Sequence, residues 1–293
     1  MENKFALIGQ NIKHSLSPFI HNEIFKYTKN FNSSYTLLEL APNEIEKFIS
    51  YSKIYNGFNV TMPYKTYMYE KIKNIDYNAK MFKSINTITK LKDGSFKGYN
   101  TDSYGFLKSL SHFKINLKNN ILLLGLGGAG RTIAVTAALY NCKLTVAVRE
   151  KSIKKTYKIL QEIIPEKKLK NIKLVDIKNI PVKNYNITIN ATPIGMLKNF
   201  NNMPITPNLL RYCKNAVDLI YAPKETKFLK IAKKFNIKSI NGLYMLLMQA
   251  VKSNEIFTGT KIKSDVVTKI YRKLKKIWKI YIYVVLWRLE KQQ

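Results

Sequence analysis

Residues 125–131 read Gly-Leu-Gly-Gly-Ala-Gly-Arg and directly follow the apolar run Ile121–Leu124. A G-x-G-x-x-G spacing between a strand and an apolar helix, here Thr132–Leu139, is the arrangement that binds dinucleotide phosphates. Glycines permit the tight turn and let the backbone approach a pyrophosphate. The N–H groups of the first helical turn add donors and a partial positive charge. Gly125, Gly127, Gly128, Ala129, Gly130 and Arg131 are therefore cofactor-binding candidates; the plain alternative is an ordinary glycine-rich turn. The next strand, Leu144–Val148, ends at Arg149-Glu150. An acidic residue there accepts a hydrogen bond from a ribose 2′-hydroxyl, whereas an arginine accommodates a 2′-phosphate. Both occur side by side. Arg149, with Lys151, Lys154 and Lys155 close by, favours NADP, with NAD as the alternative.

Three further polar clusters fall at the ends of expected strands: His14-Ser15-Leu16-Ser17-Pro18, Asn59-Val60-Thr61-Met62-Pro63-Tyr64-Lys65, and Asn100-Thr101-Asp102 with Asn86 before it. Each has a local structural explanation. Ser17-Pro18 and Asn100–Asp102 suit helix starts, and Asn59–Thr61 suits strand alternation.

The elements that must position these clusters alternate between strand and helix, which argues an α/β fold. Phe5–Ile8 reads as a strand ending at Gly9, and a helical pattern runs from Ser17 to about Tyr27. Strands are expected at Tyr35–Leu40 and from Gly57 to Pro63, with helices around Ile45–Ile49 and Tyr64–Ile72. Asn86–Leu91 and Ser95–Tyr99, joined by Lys92-Asp93-Gly94, predict a hairpin. Ser103–Phe113 has helical periodicity and leads to a second unit. There the strands Ile121–Leu124, Lys143–Val148, Ile172–Val175, Ile187–Asn190, Ala216–Ile220 and Lys238–Ile240 are interleaved with helices. No internal repeat is present.

The chain has 293 residues, 46% of them hydrophobic and 23% charged, so it is globular and long enough for two domains. Two cysteines, Cys142 and Cys213, exclude a disulfide framework and a four-ligand zinc site and suit a reducing compartment. No metal site is expected. The formal net charge is +32, which raises nucleic acid as a partner. Yet among 50 basic residues only Arg131, Arg149, Arg211, Arg272 and Arg288 are arginines, the type that reads phosphate and guanine in a bidentate manner. Lysine is spread along the whole chain, alongside abundant Asn, Ile and Tyr, as a biased genome composition would produce. No specific nucleic-acid partner is expected. The N-terminal residues lack the pattern of a secretory signal, and no stretch reaches the roughly 18 apolar residues of a membrane span, so a cytoplasmic location is expected.

Taken together, His14–Pro18, Asn59–Lys65, Asn86-Thr87, Asn100–Asp102, Gly125–Arg131, Asn190-Ala-Thr-Pro-Ile-Gly195, Asp218-Leu-Ile-Tyr221-Ala-Pro and Gly242-Leu-Tyr-Met-Leu-Leu-Met-Gln249-Ala resemble, in order, the motifs of the shikimate dehydrogenase family across residues 5–270. The resemblance implies two α/β domains: a substrate domain at 1–101 and a Rossmann-type dinucleotide-binding domain at 102–240. Helices at 241–274 return to the first domain, and a tail of unassigned role covers 275–293. It implies reversible NADPH-dependent reduction of 3-dehydroshikimate to shikimate, in the route to chorismate and the aromatic amino acids. Lys65 matches the family's catalytic lysine and Asp102 its partner. An ammonium can stabilise a developing oxyanion and donate a proton to it. Ser15, Ser17 and Tyr221 match residues at the substrate carboxylate. Thr61, Asn86 and Gln249, with Lys65 and Asp102, match those that bond the ring substituents. Asn190, Ala191, Thr192, Leu219 and Gly242 match the nicotinamide side.

The chain departs from that pattern at three places. Val148-Arg149-Glu150 replaces the usual Asn-Arg-Thr, which keeps NAD open. Tyr244 stands where a small or acidic residue is commoner. The tail carries the apolar octet Ile280–Trp287, too short to span a bilayer; it suits an extra packed element, an exposed end or an interfacial anchor, with membrane contact the less favoured of these. A quinate/shikimate dehydrogenase using NAD or both cofactors is the alternative activity. The partners expected are small molecules, and the chain is expected as a monomer or homodimer.

Overall fold

The computed structural model describes residues 2–196 and 199–290, with side chains described as far as Trp278. The chain divides into two compact units, Met1–Gly105 with Leu246–Leu274, and Phe106–Met245 with Lys275–Gln293.

The first unit holds strands β1 (Asn3–Gly9), β2 (Ser33–Glu39), β3 (Gly57–Val60), β4 (Asn74–Ile75), β5 (Thr87–Lys90) and β6 (Phe96–Tyr99). Its helices are α1 (Ser17–Tyr27), α2 (Ile45–Tyr51), α3 (Lys65–Lys71) and α4 (Tyr77–Phe82). The mixed sheet has the order β2-β1-β3-β5-β6-β4. Ala6, Ile8, Phe58, Val60 and Ile88 bury one core against Phe48 of α2 and Met68 of α3. The hairpin forms as its Asp93-Gly94 turn predicts, with Thr87 opposite Tyr99 and Lys90 opposite Phe96. Two elements, β4 and α4, have no counterpart in the sequence reading. Both are too short for periodicity to reveal, and α4 depends on the Asp76 carboxylate accepting from the N–H groups of Asn78 and Ala79.

Helix α5 (Asp102–His112) leads to the second unit. Its strands are β7 (Asn120–Leu124), β8 (Lys143–Val148), β9 (Ile172–Asp176), β10 (Ile187–Asn190), β11 (Asn215–Asp218) and β12 (Lys238–Ile240). Between them lie α6 (Gly128–Leu139), α7 (Ile153–Ile163), α8 (Glu166–Leu169), α9 (Pro207–Leu210) and α10 (Lys227–Lys234). The sheet is parallel throughout, in the order β12-β11-β10-β7-β8-β9. This is the doubly wound order of dinucleotide-binding domains, whose direction of winding switches between the first and fourth strands, here β7 and β10. The fully buried run Ile121–Leu124 is what a strand covered on both faces requires.

Two long helices close the chain: α11 (Leu243–Thr258) and α12 (Ser264–Glu290). The expected end of the last helix near Leu274 is corrected, since α12 continues through the start of the tail. No Gly or Pro follows Leu274 to stop it, and the Lys-Lys-Ile-Trp sequence sustains a helix. The apolar octet 280–287 lies beyond the described side chains. No described helix is long and apolar enough to cross a membrane.

Helix α12 is tied to α1 by the Glu23 carboxylate, which accepts from Lys273 Nζ at 2.7 Å and from Lys26 Nζ at 3.2 Å. Burial raises the Glu23 pKa, but these lysines outweigh burial and leave it below the ordinary carboxylate value. Folding therefore gains from this group above the unfolded pKa of about 4.3 and loses the gain as pH falls through the lower folded value. Glu23→Gln should cost about 1 kcal/mol near neutral pH, a modest amount because both lysines are largely solvated. In urea titrations the difference from the native chain should shrink toward zero in acid.

Candidate active site

In the first unit Ile8 of β1 lies opposite Val60 of β3, Asn59 opposite Thr87 of β5, and Thr87 opposite Tyr99 of β6. The ends of β1, β3 and β6 and the start of β5 therefore meet at one edge of the sheet. The segment carrying Ser15 and Ser17 leaves β1 there. Thr61 follows β3, Asn86 precedes β5, and Asn100–Asp102 follows β6. Gly9 is needed at this edge, because a Cβ would strike the Thr61 methyl.

Lys65 opens α3 and Asp102 opens α5. The Lys65 ammonium donates to Asp102 Oδ2 at 2.6 Å, and the two side chains are only 15% and 6% exposed. Asn86 supports the other carboxylate oxygen. Its amide orientation is fixed: the Thr101 backbone N–H, which can only donate, lies 2.8 Å from Asn86 Oδ1. Nδ2 must then face Asp102 Oδ1 at 2.9 Å, and Gln249 Oε1 at 3.5 Å. Lys65, Asp102, Asn86 and Gln249 thus converge. Ser15 and Ser17 bond to each other at 3.1 Å, and Thr61 anchors its loop by donating its backbone N–H to Ile8.

Behind this group lies a buried polar network that the sequence did not reveal. Ser253, one helical turn beyond Gln249 on α11, accepts from Asn59 Nδ2 at 2.9 Å and meets the hydroxyls of Thr87 at 2.7 Å and Thr101 at 3.2 Å. Tyr35 donates to Asn59 Oδ1 at 2.7 Å, which turns the Asn59 amide toward Ser253. The Tyr35 ring stacks on His21 at 4.0 Å, and burial pushes the His21 pKa down to about 3, so the imidazole is neutral. The one available signal was the i, i+4 spacing of Gln249 and Ser253 on α11.

In the second unit the glycine turn joins β7 to α6. Gly125 has φ +87°, a left-handed conformation that favours glycine. A Cβ on Gly130 would lie 2.6 Å from the Gly125 carbonyl, whereas the Cβ position of Gly127 has nothing within 4 Å. The backbone at Gly127–Gly130 is thus both tightly turned and approachable, and the first turn of α6, with Ala129 and Arg131, can hold a dinucleotide pyrophosphate. Arg149 and Glu150 both lie exposed at the end of β8.

Asn190 ends β10, and Thr192, Leu219 and Gly242 follow the strands on the same side of the switch point. Asn190 Oδ1 accepts from both N and Oγ1 of Thr192, and its Nδ2 donates to Asp218 Oδ1 at 3.1 Å. Gly242 packs against the Leu219 carbonyl too closely for any Cβ. Asp218, fully buried, also accepts from Thr226 Oγ1 at 2.6 Å and from the Ile220 N–H at 3.0 Å. Burial raises its pKa to about 6, and these neutral donors offset only part of that rise. Tyr221 lies three residues beyond Asp218, in this unit. The unusual Tyr244 stacks on His112 at 3.9 Å. Cys142 and Cys213 are free, and burial pushes both thiols up to about 11. Among the described residues no cluster of three or more His, Cys, Asp or Glu is placed to hold a metal.

The family described as shikimate dehydrogenase substrate binding domain matches residues 7–88. Over 286 residues the chain is 37% identical to a shikimate dehydrogenase (NADP(+)) of Clostridium perfringens, covering 92% of this chain and 98% of the relative. The chain belongs to the shikimate dehydrogenase family. Its fold matches the crystal structure of the Thermus thermophilus shikimate 5-dehydrogenase in complex with NADP(H) and shikimate, with a TM-score of 0.80, 26% identity, and coverage of 93% of this chain and 99% of that one. The Listeria monocytogenes shikimate 5-dehydrogenase, in complex with shikimate and NAD, gives a TM-score of 0.76 at 26% identity, covering 92% and 96%.

Two outcomes test the geometry of this family member. Ser253→Ala removes the hub between Asn59, Thr87 and Thr101 and should cost about 1–3 kcal/mol in denaturant unfolding, as loss of one partner of several buried polar groups does. Asp218 should titrate near pH 6 in carbon-detected NMR, a signal absent in Asp218→Asn. Because its folded pKa is raised, its contribution to stability is fully present below the unfolded pKa of about 3.9 and declines as pH rises to about 6.

Proposed function

We propose that the protein catalyses the reversible NADPH-dependent reduction of 3-dehydroshikimate to shikimate, and that it works in this direction in chorismate and aromatic amino-acid biosynthesis. The observation that carries the proposal is the largely buried Lys65–Asp102 pair at 2.6 Å, with Asn86 and Gln249 beside it. The Gly125–Arg131 turn and Arg149 would hold the dinucleotide, which as NADPH would supply the hydride for the reduction and as NADP+ would accept it in the oxidative direction. Lys65 gives a proton to the substrate oxygen that becomes the hydroxyl and takes it back in the oxidative direction. Its ammonium also stabilises the negative charge that builds on that oxygen. Asp102 holds the ammonium in place and presents carboxylate lone pairs to a substrate hydroxyl.

Asn86, Gln249 and Thr61 bond the ring hydroxyls, and Ser15, Ser17 and Tyr221 take the carboxylate. Analogues that lack a hydroxyl are rejected, because Asn86, Gln249 or Thr61 of the first unit would be left unpaired. Asn190, Thr192, Leu219 and Gly242 shape the nicotinamide side. The substrates are small molecules; the protein is read as a cytoplasmic enzyme, monomeric or homodimeric, with no specific nucleic-acid partner and with membrane contact by the tail the less favoured reading.

A second reading, in which NAD is used as well, is favoured by one observation: Glu150 stands exposed beside Arg149, where an acid suits a free ribose hydroxyl. Purified protein given shikimate should reduce NADP, followed by absorbance of the reduced nicotinamide, with a higher kcat/KM for NADP than for NAD and for shikimate than for quinate. Folded protein inert with both cofactors would end the proposal. Lys65→Ala should lower kcat by about 100- to 10,000-fold, and Ser15→Ala should mainly raise KM for shikimate.

A further inference from the structure

The segment 219–225, which carries Tyr221, is fastened at several points inside the second unit. Asp218 grips both of its ends, through the Ile220 N–H and the Thr226 hydroxyl. Asn241 Nδ2 donates to the Lys224 carbonyl at 3.0 Å, and Gly242 N to the Ile220 carbonyl at 3.1 Å. A further fastening comes from α12, beyond the expected end of that helix. The indole Nε1–H of Trp278 donates to the Tyr221 carbonyl at 2.8 Å. Trp278 is 4% exposed, and the Lys224 ammonium lies over its ring at 5.9 Å from the centroid. The indole thus grips the segment at the backbone of the very residue assigned to the substrate, and stacks beneath the charge three residues on.

An indole N–H is a donor with no acceptor role, so once buried it needs a fixed carbonyl partner. The pairing constrains both groups. With Asp218 holding the two ends of the segment, Trp278 sets the path of its middle and hence the origin of the Tyr221 side chain. Tyrosine has only two side-chain torsions, so the position of its backbone largely decides where the phenol can reach.

We propose that Trp278 is a positioning residue for substrate binding: its indole N–H fixes the Tyr221 backbone so that the phenol meets the substrate carboxylate. The tail that departs from the family pattern thereby acquires a role at its first turn. The inference rests on the assignment of Tyr221 to the substrate proposed above.

Steady-state kinetics of three variants test it, with shikimate and NADP varied separately. Trp278→Phe keeps an aromatic ring beside Lys224 but removes the N–H. It should raise KM for shikimate about five-fold, the scale of one hydrogen bond. The kcat and the KM for NADP should stay close to those of the native chain, and the melting temperature should fall by only a few degrees, about what one lost buried hydrogen bond costs. Tyr221→Phe should itself raise KM for shikimate. Adding Trp278→Phe to Tyr221→Phe should then add little, because the indole acts through the phenol. If Trp278→Phe does not fold, benzothienylalanine incorporated at position 278 keeps the indole shape without the N–H and gives the same comparison.

An unchanged KM for shikimate in the Trp278 variant, alongside a raised KM in Tyr221→Phe, overturns the inference and leaves the Tyr221 assignment standing. A fall in melting temperature with both KM values raised together overturns it in favour of a purely structural indole. An unchanged KM in Tyr221→Phe removes the assignment of Tyr221, and the inference with it, while shikimate turnover by the native chain keeps the proposed reaction intact.

Discussion

The carboxylate of Asp102 is the constraint around which the first unit is arranged. A buried ionised carboxylate is costly unless its lone pairs are met and its charge is compensated. Lys65 meets one oxygen with a full positive charge, and Asn86 meets the other with an amide. Asn86 is not free to turn away, because it is locked by a backbone N–H that can only donate. Ser253 joins Asn59 to the hydroxyls of Thr87 and Thr101, and Thr87 donates in turn to Asn86 Oδ1 at 3.1 Å. Amides bound this network at both ends, which leaves its hydroxyls few other partners. Order of this kind lets a site meet charge as it develops without first rearranging its dipoles.

The second unit solves a different problem with a different carboxylate. Asp218 receives three neutral donors and no cation, so burial prevails and its pKa rises to about 6. Its task is mechanical. It joins the segment after β10, through Asn190, to both ends of the segment after β11. Together with the close approach of Gly242 to Leu219, this shapes the strand ends opposite the glycine turn at the switch point. A parallel sheet with helices on both faces leaves its strand ends as the one edge where loops are free to specialise. The residues assigned to the cofactor lie there.

How much of this was legible in the sequence follows from the range of each signal. The glycine turn, the Asp93-Gly94 hairpin and the apolar parallel strands are local patterns, and each formed where its pattern lies. The convergence of Lys65, Asn86 and Asp102 spans 37 residues of chain. Nothing local encodes it, and the likeness to a family pointed to it. Ser253 was invisible because a serine on an apolar helix reads as an ordinary small residue until Asn59 and two threonines are seen around it. Tyr35 was hidden in the same way, since a tyrosine in a strand is common and only the fold reveals its hydroxyl partner. The end of α12 was misplaced because the family pattern stops near Leu274, whereas the physical stop signals of a helix are absent there.

The excess of lysine shows why composition alone is a poor guide to chemistry. Among the described residues, the other lysines in ion pairs keep 41% or more of their side chains exposed, as Lys252 does beside Glu255. Their charge is shared with water, and it sets solubility and non-specific attraction rather than reactivity. Lys65 is chemically different because the fold has removed most of that water and supplied one carboxylate in its place. In such surroundings the ammonium interacts with its neighbours through a lower effective dielectric, so small displacements of charge beside it are felt strongly. Forty-four lysines share the composition of Lys65, but its chemistry is conferred by the edge where β1, β3, β5 and β6 meet.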